Sequence, residues 1–386
     1  ITFSDDRTGY FEIYFLKSTN RGLNWSSETR ISTNDLYHSY ESDIKANVYI
    51  YAAWLEERAG DLDIYFSRSA NYGSTWSSPV KITPNLYAQK YPVLSASGSN
   101  VHVVFQDERA GGTTNTEIYY MRSTNNGLNW SGETNLSEHN GFSYNGYVYT
   151  TGTTVHAVWD DDWTGNREIF YRRSTNNGAN WSGDAILTVN SGVSAGPSLT
   201  ASGIYAHMVW SDERDGNREI YYKISTNNGS TWSSDLRLTN SSGYSGTASI
   251  CHSGNALNVL WYDDRNGNNE IYFKRNPTGN PTGIGIISSE IPKKFSLSQN
   301  YPNPFNPVTK IRFSIPASSK LWEVSLIIYD MLGRAAATLV NEELKPGTYE
   351  VDWSAKGSES NFPSGVYFYR LDAGSFSETK RMILLK

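Results

Sequence analysis

One trio of side chains returns along this chain with chemistry within reach: two carboxylates followed directly by an arginine. It reads Asp5-Asp6-Arg7, Glu56-Glu57-Arg58, Asp107-Glu108-Arg109, Asp212-Glu213-Arg214 and Asp263-Asp264-Arg265. A guanidinium is a planar fork of donors that grips a carboxylate at two points. A ring of such forks could hold an anionic sugar. The same forks could instead close on the carboxylates beside them, or on the Glu that opens the next strand, such as Glu219 or Glu270, and so brace a turn. A feature copied in every repeat favours bracing, because a site should break the symmetry of its scaffold. One copy does break it: Asp161-Asp162-Trp163 carries an indole where the others carry arginine. An exposed indole beside carboxylates suits stacking on a sugar ring and bonding its hydroxyls, whereas packing on a neighbouring turn is the plainer role. The third copy has a longer turn, Gly111 to Thr116. The segments between repeats also differ, with Tyr37, His38 and Tyr40 in one, Lys90 and Tyr91 in the next, and His139, Phe142 and Tyr144 in a third.

The elements that must hold these groups alternate with a period of two, which marks strands. Ala206 to Trp210 leads into one trio, a glycine turn follows at Gly216, and Glu219 to Tyr222 leads out. An eight-residue box comes next: Ser18 to Trp25, Ser69 to Trp76, Ser123 to Trp130, Ser174 to Trp181 and Ser225 to Trp232, about 51 residues apart. Each repeat offers four strands, placed in the fifth copy at Pro197–Ala201, Ile204–Trp210, Glu219–Ile224 and Leu236–Leu238. Repeated four-stranded units make a β-propeller, because one blade cannot bury both faces and a ring of blades can. Six copies predict six blades over residues 1–288. The first copy lacks its opening strand, which would place the true N-terminus upstream and leaves a further blade open. Ile284 to Ile287 could supply the last strand of the sixth.

Within the box, Gly22, Gly73, Gly127, Gly178 and Gly229 permit a positive φ. Ser18, Ser69, Ser123, Ser174 and Ser225 can bond back to turn amides. Trp25, Trp76, Trp130, Trp181 and Trp232 are placed to cover the space between blades. The pattern resembles the Asp-box of the sialidase superfamily, with Asn in the Asp place, and the resemblance covers residues 1 to about 275. It implies a sialidase-like propeller with the boxes on its back and the trios ringing its front. Sialidases grip the substrate carboxylate with three arginines and use a Tyr–Glu pair and an Asp. Their Arg-Ile-Pro motif does not occur here. The arginines and the Glu-Ile-Tyr segments are all repeat elements, so no catalytic set can be assigned.

From Asn276 to Pro292 the chain is rich in Pro, Gly, Ser and Thr, and the repeats stop. Short alternating strands then resume, at Thr309–Ile315, Val324–Tyr329, Gly347–Trp353 and Gly365–Leu371. About seven of them over residues 289–386 predict an immunoglobulin-like β-sandwich. Gln299-Asn-Tyr-Pro-Asn-Pro-Phe-Asn-Pro307, Ile328-Tyr-Asp-Met-Leu-Gly333, Pro363-Ser-Gly-Val-Tyr-Phe-Tyr369 and the basic, apolar end resemble the type A C-terminal sorting domain of the type IX secretion system. That resemblance implies export, with the secretion machinery as a partner. The end state would be a released protein or one on the outer-membrane surface of a Gram-negative bacterium.

Aromatics make up 14% and charged residues 19%, a balance that favours strands and turns. A net charge of −6 with no Lys/Arg run argues against a nucleic-acid partner. No apolar run is long enough for a transmembrane helix. The single cysteine, Cys251, excludes an intrachain disulfide. The histidines, His38, His102, His139, His156, His207 and His252, show no metal-ligand spacing, and His102, His156 and His207 recur at one strand position as packing residues. No metal and no cofactor are expected, for no phosphate loop or nucleophile elbow follows the right elements. The expected role is a non-catalytic module that binds glycan or another extracellular polymer through the front, at Trp163, Asp161 and Asp162 or at the ring of Arg7, Arg58, Arg109, Arg214 and Arg265. A sialidase-like hydrolase of anionic sugars and a component of a surface layer or fibre are the alternatives.

Overall fold

The computed structural model describes residues 1–109, 115–253, 256–276, 285–288, 292, 294–317, 322–344, 346–355 and 362–385. The long turn of the third repeat, from Gly111, begins outside them. The described residues are all-β, without a helix. By their contacts they form two compact units, Ile1–Cys251 with Val259–Lys274, and His252–Asn258 with Arg275–Lys386.

The first unit is a succession of six antiparallel sheets in chain order. Sheet one holds β1 (Thr2–Asp5), β2 (Glu12–Phe15) and β3 (Thr29–Arg30). Sheet two holds β4 (His38–Ala46), β5 (Ile50–Arg58), β6 (Asp61–Ser69) and β7 (Val80–Lys81). Sheet three holds β8 (Gln89–Ser97), β9 (Asn100–Asp107), β10 (Glu117–Ser123) and β11 (Thr134–Asn135). Sheet four holds β12 (Ser143–Thr151), β13 (Thr154–Asp161), β14 (Glu168–Ser174) and β15 (Ala185–Ile186). Sheet five holds β16 (Ser194–Ser202), β17 (Tyr205–Asp212), β18 (Glu219–Ser225) and β19 (Leu236–Arg237). Sheet six holds β20 (Ser245–Ser253), β21 (Ala256–Asp263) and β22 (Glu270–Asn276). The strands of each sheet are neighbours in sequence order, so every connection is local.

The cores lie between sheets. Ile13 and Phe15 of sheet one meet Ala52 and Trp54 of sheet two. Ile64 and Phe66 meet Leu94 and Val103 of sheet three, and Ile169 and Tyr171 meet Leu199 and Trp210 of sheet five. The box closes each of these seams. Its serine accepts the glycine amide, as Ser69 Oγ does from Gly73 N at 2.8 Å, and its Asn71 Oδ1 accepts Thr75 N at 2.9 Å. The box indole lands edge-on against a ring of the preceding sheet. The pairs are Trp76 on Phe15, Trp130 on Phe66, Trp181 on Tyr120 and Trp232 on Tyr171, with centroids 4.8 to 5.3 Å apart. Three histidines brace the rings or their neighbours from within: His102, His156 and His207 place Nδ1 2.7 to 2.8 Å from the hydroxyls of Tyr120, Tyr171 and Tyr222. Burial lowers the His102 pKa to about 3 and the His156 pKa to about 4, so both rings are neutral packing elements.

The second unit has two four-stranded sheets. One orders β23 (Gly285–Ser288), β28 (Gly347–Ser354), β25 (Val308–Ile315) and β24 (Ser296–Leu297). The other orders β27 (Ala335–Leu344), β26 (Trp322–Tyr329), β29 (Gly365–Ala373) and β30 (Phe376–Leu384). They share a core that includes Phe313, Leu326, Trp353, Tyr369 and Leu371. The 285–288 segment, which the repeat pattern offered as a last strand for the sixth repeat, pairs here instead, Ile286 opposite Tyr349.

The box glycines carry two constraints at once. Gly178 and Gly229 have φ of 76°, and a Cβ on either would sit 1.7 Å from the hydroxyl of Tyr120 or Tyr171. Gly22 has φ of 85° but would meet nothing nearer than its own Trp25 at 3.9 Å. Gly178→Ala is therefore expected to destabilise the protein by about 3 kcal/mol or more, combining left-handed strain with overpacking. Gly22→Ala should cost only about 1–2 kcal/mol, the strain alone. Denaturant unfolding of the two variants checks the difference, and equal losses would refute the close-approach explanation.

Candidate functional site

The trios sit where the second strand of each sheet ends and the turn to the third begins. The register pairs Asp107 with Glu117 and Asp212 with Glu219 across that turn, leaving the arginine just beyond the ladder. From there each guanidinium folds back. Arg109 Nε and Nη2 donate to Asp107 at 2.8 and 2.6 Å, and Nη1 reaches Glu133 at 2.6 Å. Arg214 binds Asp212 through Nε at 2.8 Å and Asp235 through Nη1 at 2.6 Å. Arg7 holds Asp5 at 2.7 Å and also pairs with Glu28. Arg58 pairs with Glu56 and reaches Asp35 at 2.7 Å, and Arg265 holds Asp263 at 2.8 Å. Each fork also lies over a tyrosine, 4.1 Å from the ring centre for Arg109 on Tyr119, 4.2 Å for Arg265 on Tyr272 and 4.4 Å for Arg214 on Tyr221. The Arg7 guanidinium holds the Asp5 carboxyl down at about 2, and Arg265 likewise holds Asp263 well below the carboxylate range.

For Arg7, Arg109 and Arg214 the second acid comes from the segment after the box that follows them, not from the start of strand three, whereas Arg58 takes Asp35 from the segment ahead of β4. The glutamates that open the third strand do something else. Glu117 and Glu219 accept the hydroxyls of Ser137 and Thr239, each two residues past the fourth strand, and Glu219 takes Arg237 Nη2 at 2.8 Å. Glu219 thus forms its salt bridge with Arg237, and the trio arginine Arg265 feels it only as a nearby charge.

Sheet four replaces the fork with aromatic rings. The Asp161 carboxylate, which has no arginine two residues on, accepts Trp163 N at 2.7 Å and Ser143 Oγ at 2.6 Å. Asp162 accepts Phe142 N at 2.7 Å. The Trp163 indole lies flat on the His139 imidazole, with centroids 4.1 Å apart and planes at 7°, and Phe170 lies edge-on to the indole and tilted against the imidazole. Half of the Trp163 surface stays exposed, at 50%. His139 Nε2 stands 3.1 Å from Asp184, which also takes Arg172 Nε at 2.5 Å. Asp184 lies 21 residues after Trp163, as Asp235 lies 21 after Arg214 (184 − 163 and 235 − 214). So the acid that would close a fork here is occupied by Arg172 and His139, and the indole is left with an open face.

Beside this platform stands a group that the repeat pattern did not single out. Asp160 is fully buried and accepts Arg167 Nε at 2.9 Å, Asn145 Nδ2 at 2.9 Å and Gly196 N at 3.0 Å. Burial pushes its carboxyl upward against the pull of Arg167. Arg167 in turn lies 4.7 Å over the Tyr144 ring. The signal was available: at the position of Asp160 the other repeats carry Leu55, Gln106, Ser211 and Tyr262. Deeper among the first strands, Asp43 accepts Leu94 N at 2.7 Å with Lys45 Nζ 3.7 Å away, and burial pushes its carboxyl upward. Among the described residues, no three His, Cys, Asp or Glu side chains converge as metal ligands.

One carboxyl of the scaffold should titrate near neutrality. Glu117 is 2% exposed, and burial, with the charge of Asp161 adding to it, raises its pKa to about 7. Between the unfolded value near 4.5 and 7 the folded state binds the extra proton, so stability falls as pH rises through that window. The loss should be on the order of 1–3 kcal/mol between pH 4.5 and 7.5. Glu117→Gln should flatten that part of the stability–pH curve, measured by urea unfolding. A variant curve as steep as the parent's would remove Glu117 as the cause.

A model of the BNR repeat-like domain matches residues 47–261, and a model of the secretion system C-terminal sorting domain matches residues 299–385. No curated protein matches the chain. Among solved structures, a protein of unknown function from Dyadobacter fermentans is 12% identical, with 84% of this chain and 97% of that one covered and a TM-score of 0.49. The GH93 α-L-arabinofuranosidase of Fusarium graminearum, solved with arabinobiose, is 16% identical, over 70% and 86%, with a TM-score of 0.48. The Penicillium chrysogenum α-L-arabinanase, also with arabinobiose, is 13% identical, over 82% and 93%, with a TM-score of 0.43. The repeat model spans more than half of the chain, and the tail is a type IX sorting domain, the mark of a secreted or cell-surface protein. The chain belongs to the BNR repeat-like family.

Proposed function

We propose that this protein is a non-catalytic binding module of the cell exterior, which engages a glycan or similar polymer through the Trp163 platform of sheet four. On this reading the six sheets, from β1 to β22, are blades of one β-propeller. The tail, which takes in the 285–288 strand rather than beginning at residue 289, is an immunoglobulin-like sandwich that the type IX machinery recognises, delivering the protein to the outer surface of a Gram-negative cell. The observation that carries the reading is a contrast among equivalent positions. Five arginines are closed on neighbouring carboxylates and stacked on tyrosines, while the sixth position holds an indole backed by His139 and open on its other face. An indole face stacks on the C–H face of a sugar ring, and a rigid backing lowers the ordering cost of binding. Asp162 and the exposed Glu138 lie nearby in the same turns, so the surface suits neutral sugars better than anionic ones. A sialidase-like hydrolase would need guanidinium groups free to grip a substrate carboxylate. Arg7, Arg58, Arg109, Arg214 and Arg265 are already engaged.

Affinity electrophoresis against neutral and anionic polysaccharides, with fluorogenic glycosides assayed in parallel, tests the reading. Retardation by a neutral polymer is expected, together with no turnover. Trp163→Ala should weaken binding about tenfold, roughly 1.4 kcal/mol, with an unchanged melting temperature. Turnover that Arg214→Ala or Arg109→Ala removes would replace this proposal with a hydrolase. Retardation that survives Trp163→Ala would move the site elsewhere.

A further inference from the structure

Five sheets of the first unit bury one face of their third strand. Ile13, Ile64, Ile118, Ile169 and Ile220 are each 0% exposed, and the aromatic residue two positions on, Phe15, Phe66, Tyr120, Tyr171 or Tyr222, never exceeds 9%. For the first four, the next sheet's box supplies much of the cover: its glycine backbone lies against the ring and its indole meets the ring edge-on. A polar latch runs alongside. Lys17 Nζ donates to Tyr72 O at 2.8 Å, Arg68 Nη1 to Asn126 O at 2.8 Å, Arg122 Nη1 to Asn177 O at 2.8 Å and Arg173 Nη1 to Asn228 O at 3.1 Å. Each acceptor is the left-handed residue just before the box glycine.

Both ends of the succession carry half of this interface, uncovered. On β22, Ile271 is 75% and Phe273 56% exposed, and Arg275 stands exposed at the latch position. On sheet one, Trp25 is 49% exposed, Gly22 has no ring against it, and Arg21 holds the left-handed acceptor position with φ of 60°. Sheet one also has three strands where sheets two to five have four, the missing one being the counterpart of β4, β8, β12 and β16. The two half-interfaces are complementary, and Ile271, Phe273, Gly22 and Trp25 belong to one compact unit, yet six sheets leave both of them open.

We infer that the ring takes one further sheet of the same repeat between β22 and the first box. Its leading strands would cover Ile271, its box would seat Phe273 and accept Arg275, and its third strand would set an aromatic ring against Gly22 and Trp25. A single strand ahead of β1 would complete sheet one but leave these two faces apart. The inference rests on reading the sheets as blades and is independent of what the front face binds.

Thiol labelling tests it. Phe273→Cys, made in a Cys251→Ser background because Cys251 is itself exposed, reports on the sixth face, and Ile271→Cys is a second reporter at a still more open position. In the chain itself both thiols should react with a maleimide as fast as an unprotected thiol. A copy of residues 140–207 joined ahead of Ile1 supplies one whole sheet (the β12–β15 equivalents) and the missing first strand. That extended chain should remain a monomer and label at least tenfold more slowly. A copy of residues 190–207, which supplies the single strand alone, should leave labelling fast. Protection by the single strand would mean that six sheets close directly, and would overturn the inference. So would fast labelling in the fully extended chain, or protection of the unextended chain that rises with concentration and dimer mass. Small-angle scattering of the unextended chain separates these from failure of the blade reading: a straight stack of sheets would sink both, whereas a curved arc leaves the blades in place.

Discussion

The structure of the first unit hangs on the approach of a box backbone to an aromatic ring of the sheet before it. A short antiparallel sheet with apolar residues on both faces cannot bury itself, so each sheet's stability resides in its neighbours. At Gly73 and Gly127 the space for a Cβ is already filled by Phe15 and Phe66, and at Gly178 and Gly229 by tyrosine hydroxyls. The serine that accepts the glycine amide fixes the turn, the turn fixes the indole, and the indole fixes the angle at which the next sheet meets the last. That chain of causes explains why the box tolerates variation at its second, fourth, sixth and seventh positions, where Ala70, Arg21 and Tyr72, Leu128 and Ala179, and Thr75 occur, but keeps Ser, Asn, Gly and Trp in every copy.

The trio turns obey a different constraint, that of charge. A buried aspartate such as Asp107, Asp212 or Asp263, each 0% exposed, would be strongly destabilising without a cation. The arginine two residues on answers that need; its flat face lies over a tyrosine, and in Arg109 and Arg214 a remaining nitrogen takes a second acid. A network of this kind neutralises itself, which makes it a poor receptor for an outside anion. Where the arginine is absent, at Trp163, the aspartate keeps the backbone amide and the serine hydroxyl that Asp212 and Asp263 also receive, but has no guanidinium two residues on. Asp161 is thus held there by neutral donors, and an aromatic surface occupies the place of the cation.

The repeat period, the strand alternation and the box were all legible in the sequence because they are local: the pattern is written within a few residues of where it acts. The Trp163 substitution was legible for the same reason. What escaped were partners set by the fold at longer range. Glu28, Glu133 and Asp235 close the arginine forks from beyond the box, a relation that only the packing of the fourth strand beside the turn creates. The sequence instead offered Glu219 and Glu270, which lie nearer along the chain. The 285–288 segment escaped likewise, since a short apolar strand reads the same whichever sheet receives it. Asp160 could be noticed by comparing repeats, but its role needed Gly196 from the next sheet.

That last contact bears on how the platform of sheet four can work. Neighbouring first strands are tied by side chains that accept a backbone amide across the seam. Ser95 accepts Thr150 N at 2.9 Å, and Ser198 accepts Ile250 N at 3.3 Å. Between sheets four and five the tie includes the Asp160 carboxylate, which simultaneously holds Asn145 at the bulge of β12 and Arg167 at the head of β14. A charge-assisted, three-way bond is stiffer than a lone hydroxyl contact. It fixes the second strand one residue before Asp161, whose carboxylate positions the Trp163 backbone, while Asp184 fixes the imidazole on which the indole lies. The indole is thus held from its main chain and from its inner face, so a ligand of the kind proposed would meet an outer face already ordered, which lowers the cost of arranging it on binding.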